Sequence, residues 1–313
     1  MALRRTFRDQ FNDLGFGNKV VEPNQRLMNR DGSSNVNRRG IPFLQSFSFY
    51  HELITMGWWK FNGMIFLSYL LVNLLFSCLY YFGDIDHLGG MKAQTDFEKF
   101  MEAFFFSTQT LSTVGFGRLN PEGFFNSSVA AIESMTGLLG FALATGLLYG
   151  RFSRPIAKLT FSHHAIIAPY RGIKALMFRF GNPRKSQLLE LEVEVNMSYV
   201  EDGEDGRPVR RFVQLELERK RVAILSMTWT IVHPLDEISP IANWTMDDYE
   251  KKDCEMIVIV KAFEETFSQT VYARTSYKPH EIKPDARFVP LIAAGPNGSV
   301  VLELDKIHDY ERV

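Results

Sequence analysis

The chain has 313 residues, in which 35 Lys and Arg balance 36 Asp and Glu to a formal net charge of −1. This length suits one or two domains with a substantial core, and the near-zero charge excludes a generally basic nucleic-acid binder. Two cysteines, Cys78 and Cys254, exclude a disulfide scaffold and any CxxC metal or redox site. The mean hydropathy of −0.10 argues against a transporter built mostly of membrane helices, but it allows a few spans beside a polar domain.

Residues 41–57 mix large apolar side chains with polar ones at roughly helical spacing, after an N-terminal segment of residues 1–40. The pattern is typical of an amphipathic helix that lies on the inner membrane surface. An ordinary linker helix has the same spacing, so both interpretations stay open.

Two apolar stretches predict transmembrane helices over about 58–82 and 124–150. Residues 61–82 carry no charge and are flanked by tryptophans and tyrosines, as expected of a helix that crosses a bilayer. Residues 124–150 carry one charge, Glu133, and many small side chains that allow close helix packing in lipid. The alternative is a buried helix of a soluble domain, but a soluble helix usually keeps one polar face.

The distribution of basic residues predicts the orientation in the membrane. Bases dominate residues 1–60, and residues 151–189 hold bases without a single acid, whereas acids outnumber bases in residues 83–123. Because positive charge favours the cytoplasmic side, we expect both termini in the cytoplasm and the link between the spans outside.

The link contains a predicted short helix over about 97–111, followed by Thr113-Val114-Gly115-Phe116-Gly117. These five residues resemble the selectivity filter of potassium channels, in which a dehydrated K⁺ needs oxygens in place of its water. Backbone carbonyls supply them only if successive carbonyls point at one axis. An ordinary strand alternates its carbonyls, so the chain must adopt left-handed backbone angles here. Glycine does so without steric cost, which explains the two glycines in this stretch.

Residues 113–117 closely resemble the selectivity filter of potassium channels. The resemblance implies K⁺ ions held by the backbone carbonyls of Thr113, Val114, Gly115 and Phe116, with no other cofactor. Phe116 stands where most potassium channels have Tyr, which removes a hydroxyl able to brace the filter and leaves the degree of selectivity open. Irregular backbone cannot face lipid, and one filter strand cannot enclose an ion path, so we expect a homotetramer.

Further motifs follow in order along residues 31–290. They are Asp31-Gly32-Ser33-Ser34-Asn35, Gly150-Arg151-Phe152-Ser153-Arg154-Pro155, Phe161-Ser162-His163, Gly181-Asn182-Pro183-Arg184-Lys185-Ser186, His233-Pro234-Leu235-Asp236-Glu237-Ile238-Ser239-Pro240, Ala273-Arg274-Thr275-Ser276-Tyr277 and Arg287-Phe288-Val289-Pro290. This set is similar to that of bacterial inward-rectifier (Kir-type) potassium channels. The resemblance implies passive K⁺ conduction across a bacterial inner membrane, gated at the inner helix bundle.

Residues 151–313 alternate apolar and polar side chains between turn signals, which predicts several short strands. Predicted strands include residues 190–195, 212–218, 222–232, 256–262 and 300–304, and the first two form a hairpin. Such strands suggest a β-sandwich, and the resemblance implies an immunoglobulin-like cytoplasmic domain. The predicted fold class is therefore a tetrameric α-helical membrane protein, with two transmembrane helices, a pore helix and a filter per subunit, and a C-terminal cytoplasmic immunoglobulin-like β-sandwich.

Glu133 is the starting point for a predicted pore-lining stripe, since a carboxylate inside a span is costly unless it faces water or a partner. Steps of four residues from Glu133 lead to Gly137, Phe141, Thr145 and Tyr149. On this hypothesis Glu133 attracts K⁺ and cationic blockers such as Mg²⁺ or polyamines in the cavity below the filter, and Gly137 acts as a bend. The resemblance implies that Phe141 and Tyr149 narrow the inner gate. A stripe that serves only packing is the alternative.

The resemblance also implies that Glu190 and Glu265 line a cytoplasmic vestibule, although an ordinary solvated strand face has the same pattern. Bases near the inner leaflet predict contacts with anionic lipids, worth on the order of 1 kcal/mol each. The candidate lipid contacts are Arg38, Arg39, Arg151, Arg154 and Lys158. The family suggests that these lipids include phosphoinositides.

The predicted function is that of a homotetrameric inward-rectifier potassium channel modulated by anionic lipids, with no nucleic-acid partner. A weakly selective cation channel is one alternative, because of Phe116. A non-conducting, membrane-anchored β-sandwich that binds a partner is another. An enzyme is not expected, because the sequence contains no nucleophile–base, metal or phosphate-loop constellation.

Overall fold

The computed structural model describes residues 15–17, 25–36, 40, 48–153, 157–184, 186–203, 206–296 and 299–313. The chain divides into two compact units. The first, here called the membrane unit, comprises Gly40–Arg154. The second, here called the sandwich unit, comprises Met1–Arg39 together with Pro155–Val313.

The membrane unit is helical. Its elements are α1 (Phe49–Thr55), α2 (Trp58–Asp84), β1 (Leu88–Gly89), α3 (Asp96–Leu111), β2 (Asn120–Pro121) and α4 (Gly123–Phe152). The helices α2 and α4 are long and apolar enough to cross a membrane, with mean hydropathies of 1.9 and 1.5 in their most apolar windows. Only 22% and 6% of those windows are buried inside the chain, so most of this apolar surface is left for lipid or neighbouring subunits.

The predicted interfacial helix over residues 41–57 is described only in part. Residues 41–47 lie outside the described residues, and α1 occupies the second half of the range. In α1, Leu53 is buried, whereas Phe49 and Tyr50 are exposed. The described turns therefore have the two-sided character that the sequence predicts.

The helix α3 is fixed among α2 and α4 by a small apolar core. Ala103 and Phe106 of α3 pack with Phe76 and Tyr80 of α2 and with Val129 of α4. A capping box begins α3: the Thr95 hydroxyl accepts from the Glu98 backbone N–H, and the Glu98 carboxylate accepts from the Thr95 N–H. These contacts set the position of the residues that follow α3.

The sandwich unit contains two five-stranded sheets. Its strands are β3 (Thr160–Phe161), β4 (Ala165–Tyr170), β5 (Ile173–Gly181), β6 (Leu188–Asp202), β7 (Pro208–Gln214), β8 (Arg221–Leu225), β9 (Thr228–Pro234), β10 (Glu255–Glu264), β11 (Gln269–Tyr277), β12 (Ile282–Pro284), β13 (Ala286–Phe288), β14 (Ile292–Ala294), β15 (Val300–Leu302) and β16 (Tyr310–Arg312), with helix α5 (Met246–Lys251) before β10. One sheet has the order β11-β10-β6-β7, with β8 also paired to β6. The other has the order β12-β4-β5-β3, with β9 also paired to β5.

The largest apolar core lies between these two sheets and takes side chains from both, so the sequence correctly predicts a β-sandwich. Leu191, Val193 and Val195 of β6 are buried, as the alternation of apolar and acidic residues predicts. Leu176 and Phe178 of β5 enter the same core from the other sheet. The immunoglobulin-like topology stays a prediction.

The predicted single strand over residues 222–232 is wrong. The structure has β8 and β9 instead, and they belong to different sheets: β8 pairs with β6, whereas β9 pairs with β5. The apolar run continues across the break because both strands contribute side chains to the shared core. Periodicity alone could not detect the place where the chain changes sheets.

Residues 25–36 are bound to the sandwich by hydrogen bonds to two of its carboxylates. The buried Glu255 carboxylate accepts the backbone N–H groups of Leu27 and Met28 at 2.7 and 3.0 Å. The Arg26 guanidinium donates to both carboxylate oxygens of Glu281, at 3.1 and 2.7 Å. Residues 25–36 therefore belong to the folded sandwich unit.

The first Kir-type motif is explained by this packing. The Asp31 carboxylate accepts from the backbone N–H and hydroxyl of Ser33, which closes a turn and lowers the pKa of Asp31. Gly32 has φ +81°, and a Cβ there would lie 2.6 Å from the Arg274 carbonyl oxygen. Two motifs that are far apart in the sequence thus touch each other.

Three charged side chains form a buried cluster on the sandwich. Asp253 accepts a hydrogen bond from Arg210 of β7 and another, at 2.6 Å, from the Lys278 ammonium. All three residues are less than 8% exposed. Burial removes most of the water around Arg210 and Lys278. Both cations therefore depend on the Asp253 carboxylate for a compensating negative charge.

Asp253→Ala should destabilise the sandwich unit by roughly 3–5 kcal/mol, because it leaves two buried cations without their carboxylate. Thermal unfolding of the solubilised full chain, followed by the fluorescence of Trp229 and Trp244, would measure the loss. Asp247→Ala is the matched control, since its ion pair with Lys251 is largely exposed. Equal melting temperatures for the two variants would contradict the prediction.

Candidate functional site

Residues 113–117 have an alternating backbone conformation. Thr113, Gly115 and Gly117 have φ of 60°, 54° and 82°, whereas Val114 and Phe116 do not have positive φ. When every second residue is left-handed, successive carbonyls turn toward the same side instead of alternating as in a strand. Thr113 is not a glycine, so its left-handed angle is strained and must be imposed by its surroundings.

The end of α3 imposes this conformation. The carbonyl of Gln109 in the last turn accepts the backbone N–H of Val114 at 2.9 Å and that of Gly115 at 3.4 Å. The Thr113 N–H donates to the Thr110 carbonyl at 3.0 Å. The N–H groups of Thr113, Val114 and Gly115 are thus bound to the end of α3. Among the described residues, these loop hydrogen bonds leave the carbonyls of residues 113–117 unused. The C-terminal end of α3 also carries partial negative charge, which favours a cation nearby.

An ion pair braces the segment after the filter. The Arg118 guanidinium donates to the Glu102 carboxylate of α3 at 3.0 Å, and the same carboxylate accepts the Lys92 backbone N–H at 3.1 Å. The Glu102 side chain is only 17% exposed. Our sequence reasoning missed this pair, although an isolated base directly after the filter in an acidic link was a usable signal.

The prediction that Glu133 lines the pore cavity is wrong. Glu133 has no exposed surface even in a single chain, where a pore-lining residue would be open to solvent. Its carboxylate accepts from the Tyr80 hydroxyl of α2 at 2.7 Å and contacts the Ser107 hydroxyl of α3. Glu133 therefore points behind the filter, into the junction of three helices.

Helix geometry explains the error. Each step of four residues advances about 40° beyond a full turn, because an α-helix has 3.6 residues per turn. Four such steps separate Glu133 from Tyr149 by about 160°, which is nearly the opposite face. Phe141, Thr145 and Tyr149 are exposed in the single chain. Their predicted place at the inner gate stays a prediction.

The structure shows no break in the helix at Gly137, where the sequence predicts a bend. The helix α4 runs unbroken through it from Gly123 to Phe152. A Cβ at Gly137 would lie 2.0 Å from the carbonyl oxygen of Leu111, the last residue of α3. Glycine is needed here for the close approach of two backbones.

Arg151 was predicted to contact anionic lipid, but its guanidinium is already engaged within the chain. It donates to the carbonyls of Leu53 and Met56 at the end of α1, at 2.6 and 2.7 Å. It also stacks 4.6 Å from the Trp58 ring centre and 4.4 Å from that of Phe61. Arg151 therefore ties α1 to the last turn of α4, and the lipid-contact prediction is not supported at this residue.

The other predicted contacts have simpler surroundings. Lys158 is exposed, whereas Arg38, Arg39 and Arg154 lie outside the described residues. Glu190 and Glu265 are exposed, the first on β6 and the second after β10. Glu190 lines an open cleft of about 510 Å³ whose wall also contains two bases, Arg221 and Lys261. Their predicted roles at lipid and in a vestibule stay predictions.

Comparisons with known proteins match both units. Residues 64–154 match the family model "Ion channel", and residues 159–313 match "Inward rectifier potassium channel C-terminal domain". The inward rectifier potassium channel Kirbac3.1 of Paramagnetospirillum magnetotacticum is 36% identical over 297 residues, which cover 94% of this chain and 98% of that relative. Human inward rectifier potassium channel 18 is 28% identical over 89% of this chain and 70% of its own length. Human inward rectifier potassium channel 4 is 30% identical over 75% of this chain and 60% of its own length.

The chain belongs to the inward rectifier potassium channel family. Both family models and these relatives are those of ion channels, so the prediction that the chain is not an enzyme is confirmed. Membership also supports a membrane location, which the two long apolar helices fit.

Arg118→Gln should loosen the segment that follows residues 113–117, because it removes the cation that pairs with the half-buried Glu102. We expect K⁺ flux into vesicles to fall several-fold. Glu102→Arg combined with Arg118→Glu should recover part of the flux, since it restores opposite charges at the same distance. If the double variant conducts no better than Arg118→Gln, the ion pair has no role in conduction.

Arg151→Ala should change K⁺ flux even in vesicles of uncharged lipid, because it releases the end of α1 from α4. Lys158→Ala is the matched control, since Lys158 is an exposed base in the same basic stretch. A residue that acts by binding anionic lipid would alter flux only when such lipid is present. If Arg151→Ala behaves like the wild type in uncharged vesicles, the mechanical role is wrong.

Proposed function

We propose that four copies of this chain form a K⁺-selective channel whose filter is residues 113–117. The observation that carries the proposal is the alternation of left-handed residues at Thr113, Gly115 and Gly117, between two apolar helices. Carbonyls that face one side can replace the hydration shell of a monovalent cation, but only if several strands surround it. A fourfold assembly satisfies this need and shields the irregular backbone from lipid.

The ions bind to the backbone carbonyls of Thr113, Val114, Gly115 and Phe116. The left-handed Thr113 begins the filter and places its hydroxyl at the inner mouth. Phe116 is 79% exposed in the single chain and carries no hydroxyl that could brace the filter. In this proposal the Arg118–Glu102 ion pair, which holds the segment after the filter, supplies the bracing instead.

Gating in this proposal takes place where the inner helices converge. Phe141 and Tyr149 are 75% and 74% exposed in the single chain, so their rings are available to narrow a central passage. Both termini lie in the cytoplasm of a bacterial cell. Anionic lipids, including phosphoinositides, modulate opening through bases near the inner leaflet.

Block by internal Mg²⁺ or polyamines should be shallow. Glu133 is the only acid in residues 124–150, and it is buried away from the conduction path. Phe141 carries an aromatic ring, which has no negative charge to attract Mg²⁺ or polyamines. Exposed carboxylates that could attract blockers include Glu190 and Glu265 of the sandwich unit.

Gly115→Ala should abolish selective K⁺ flux, because alanine is strained at φ +54° in the left-handed region. The measurement is ⁸⁶Rb⁺ or K⁺ uptake into vesicles that contain the purified tetramer, with and without Ba²⁺. Gly140→Ala is the matched control, since Gly140 lies in α4 with open space around its missing Cβ.

The same preparation decides between the alternatives. Uptake of Na⁺ at a rate near that of K⁺ would favour a weakly selective cation channel, and Phe116→Tyr should then raise the selectivity. No uptake of either ion by a correctly assembled tetramer would favour a membrane-anchored binding module.

A further inference from the structure

The junction behind the filter contains more acceptor atoms than donor protons. The Ser107 hydroxyl of α3 lies against a carboxylate oxygen of Glu133, 3.1 Å from Oδ1 of Asn73 and 3.2 Å from the Asn73 backbone carbonyl. All three residues are fully buried. A hydroxyl has only one proton to donate, so it cannot satisfy these acceptors together.

The orientation of the Asn73 amide is fixed by a second bond. Its nitrogen donates to the Tyr69 backbone carbonyl at 2.7 Å, so Oδ1 must face Ser107. The backbone carbonyl of Asn73 has another donor in the Ser77 hydroxyl, at 2.5 Å. The unresolved conflict is therefore between Asn73 Oδ1 and the Glu133 oxygen, which both need the proton of Ser107.

One additional proton removes the conflict. If Glu133 is a neutral carboxylic acid, its O–H donates to Ser107 Oγ, and Ser107 donates to Asn73 Oδ1. The other oxygen of Glu133 accepts from the Tyr80 hydroxyl at 2.7 Å. Every group then has a partner, and among the residues that the structure describes no base lies within ion-pair distance of Glu133.

We propose that Glu133 is a neutral acid that fastens the inner helix α4 to the pore helix α3 and thereby positions the filter. The inference rests on the proposed function, since it assigns a role in selective conduction. Glu133 is a positioning residue because it acts through α3 and does not touch the ion.

A second contact one turn along supports the same role. Gly137 follows Glu133 by four residues, and Leu111 follows Ser107 by four, so matching turns of the two helices meet twice. The close approach at Gly137 brings the α4 backbone against the last carbonyl of α3. Thr113 is only two residues farther on, so a shift of α4 against α3 moves the filter directly.

The test compares two substitutions of Glu133. Glu133→Gln keeps the network, because its amide nitrogen donates to Ser107 and its amide oxygen accepts from Tyr80. We expect a K⁺/Na⁺ permeability ratio within about twofold of the wild type. Glu133→Ala and Ser107→Ala break the chain of donors and should lower this ratio about tenfold. Thr136→Ala is the control, since its hydroxyl bonds only to its own helix.

Infrared difference spectroscopy supplies a readout that does not depend on conduction. Subtracting the Glu133→Gln spectrum from the wild-type spectrum should leave the carbonyl stretch of a protonated carboxylic acid. A difference that contains only carboxylate bands would overturn the neutral acid, even if Glu133→Ala fails to fold.

The experiments distinguish a failure of the proposed function from a failure of the positioning role of Glu133. If the wild-type tetramer conducts neither K⁺ nor Rb⁺, the proposed function fails, and the infrared result still decides the state of Glu133. If the wild type is selective and Glu133→Ala and Ser107→Ala are equally selective, the positioning role fails alone. A Glu133→Gln variant as impaired as Glu133→Ala would also contradict the network described above.

Discussion

The membrane unit depends on the cost of leaving a polar group without a partner where lipid replaces water. A backbone amide or carboxyl group inside the apolar layer has to be satisfied within the protein. The chain meets this requirement with side chains and helix ends. The carbonyl of Gln109 holds the filter N–H groups, and Tyr80 and Ser107 surround the carboxyl group of Glu133. The filter carbonyls are the exception, and that exception is what an ion can use.

The same principle connects the filter to the inner helix. Glu133 and Gly137 both face α3, one through hydrogen bonds and the other through close backbone contact. At the other end of α4, Arg151 binds the carbonyls that terminate α1. Helix α4 is therefore attached to α3 near its middle and to α1 at its end.

Much of this organisation could be predicted from the sequence. The two spans, the pore helix and the filter leave local signals, since each depends on apolar length, amphipathic spacing or glycine position. The sandwich could be predicted because β6 alternates buried residues such as Val193 with polar ones. The break between β8 and β9 could not be predicted from the sequence. Both strands bury apolar side chains in one core, so the apolar pattern does not change between them.

By itself, the sequence determined the spans, the filter backbone type, the sandwich class and the family, because these depend on the kind of residue and on its distance along the chain. The tertiary structure alone decided which groups meet. It moved Glu133 from a presumed cavity to a buried junction, paired Glu102 with Arg118 and bound Arg151 to α1. Such partners are far apart in sequence, and a step of four residues drifts around a helix. Only the packing of whole helices determines which face a polar side chain occupies.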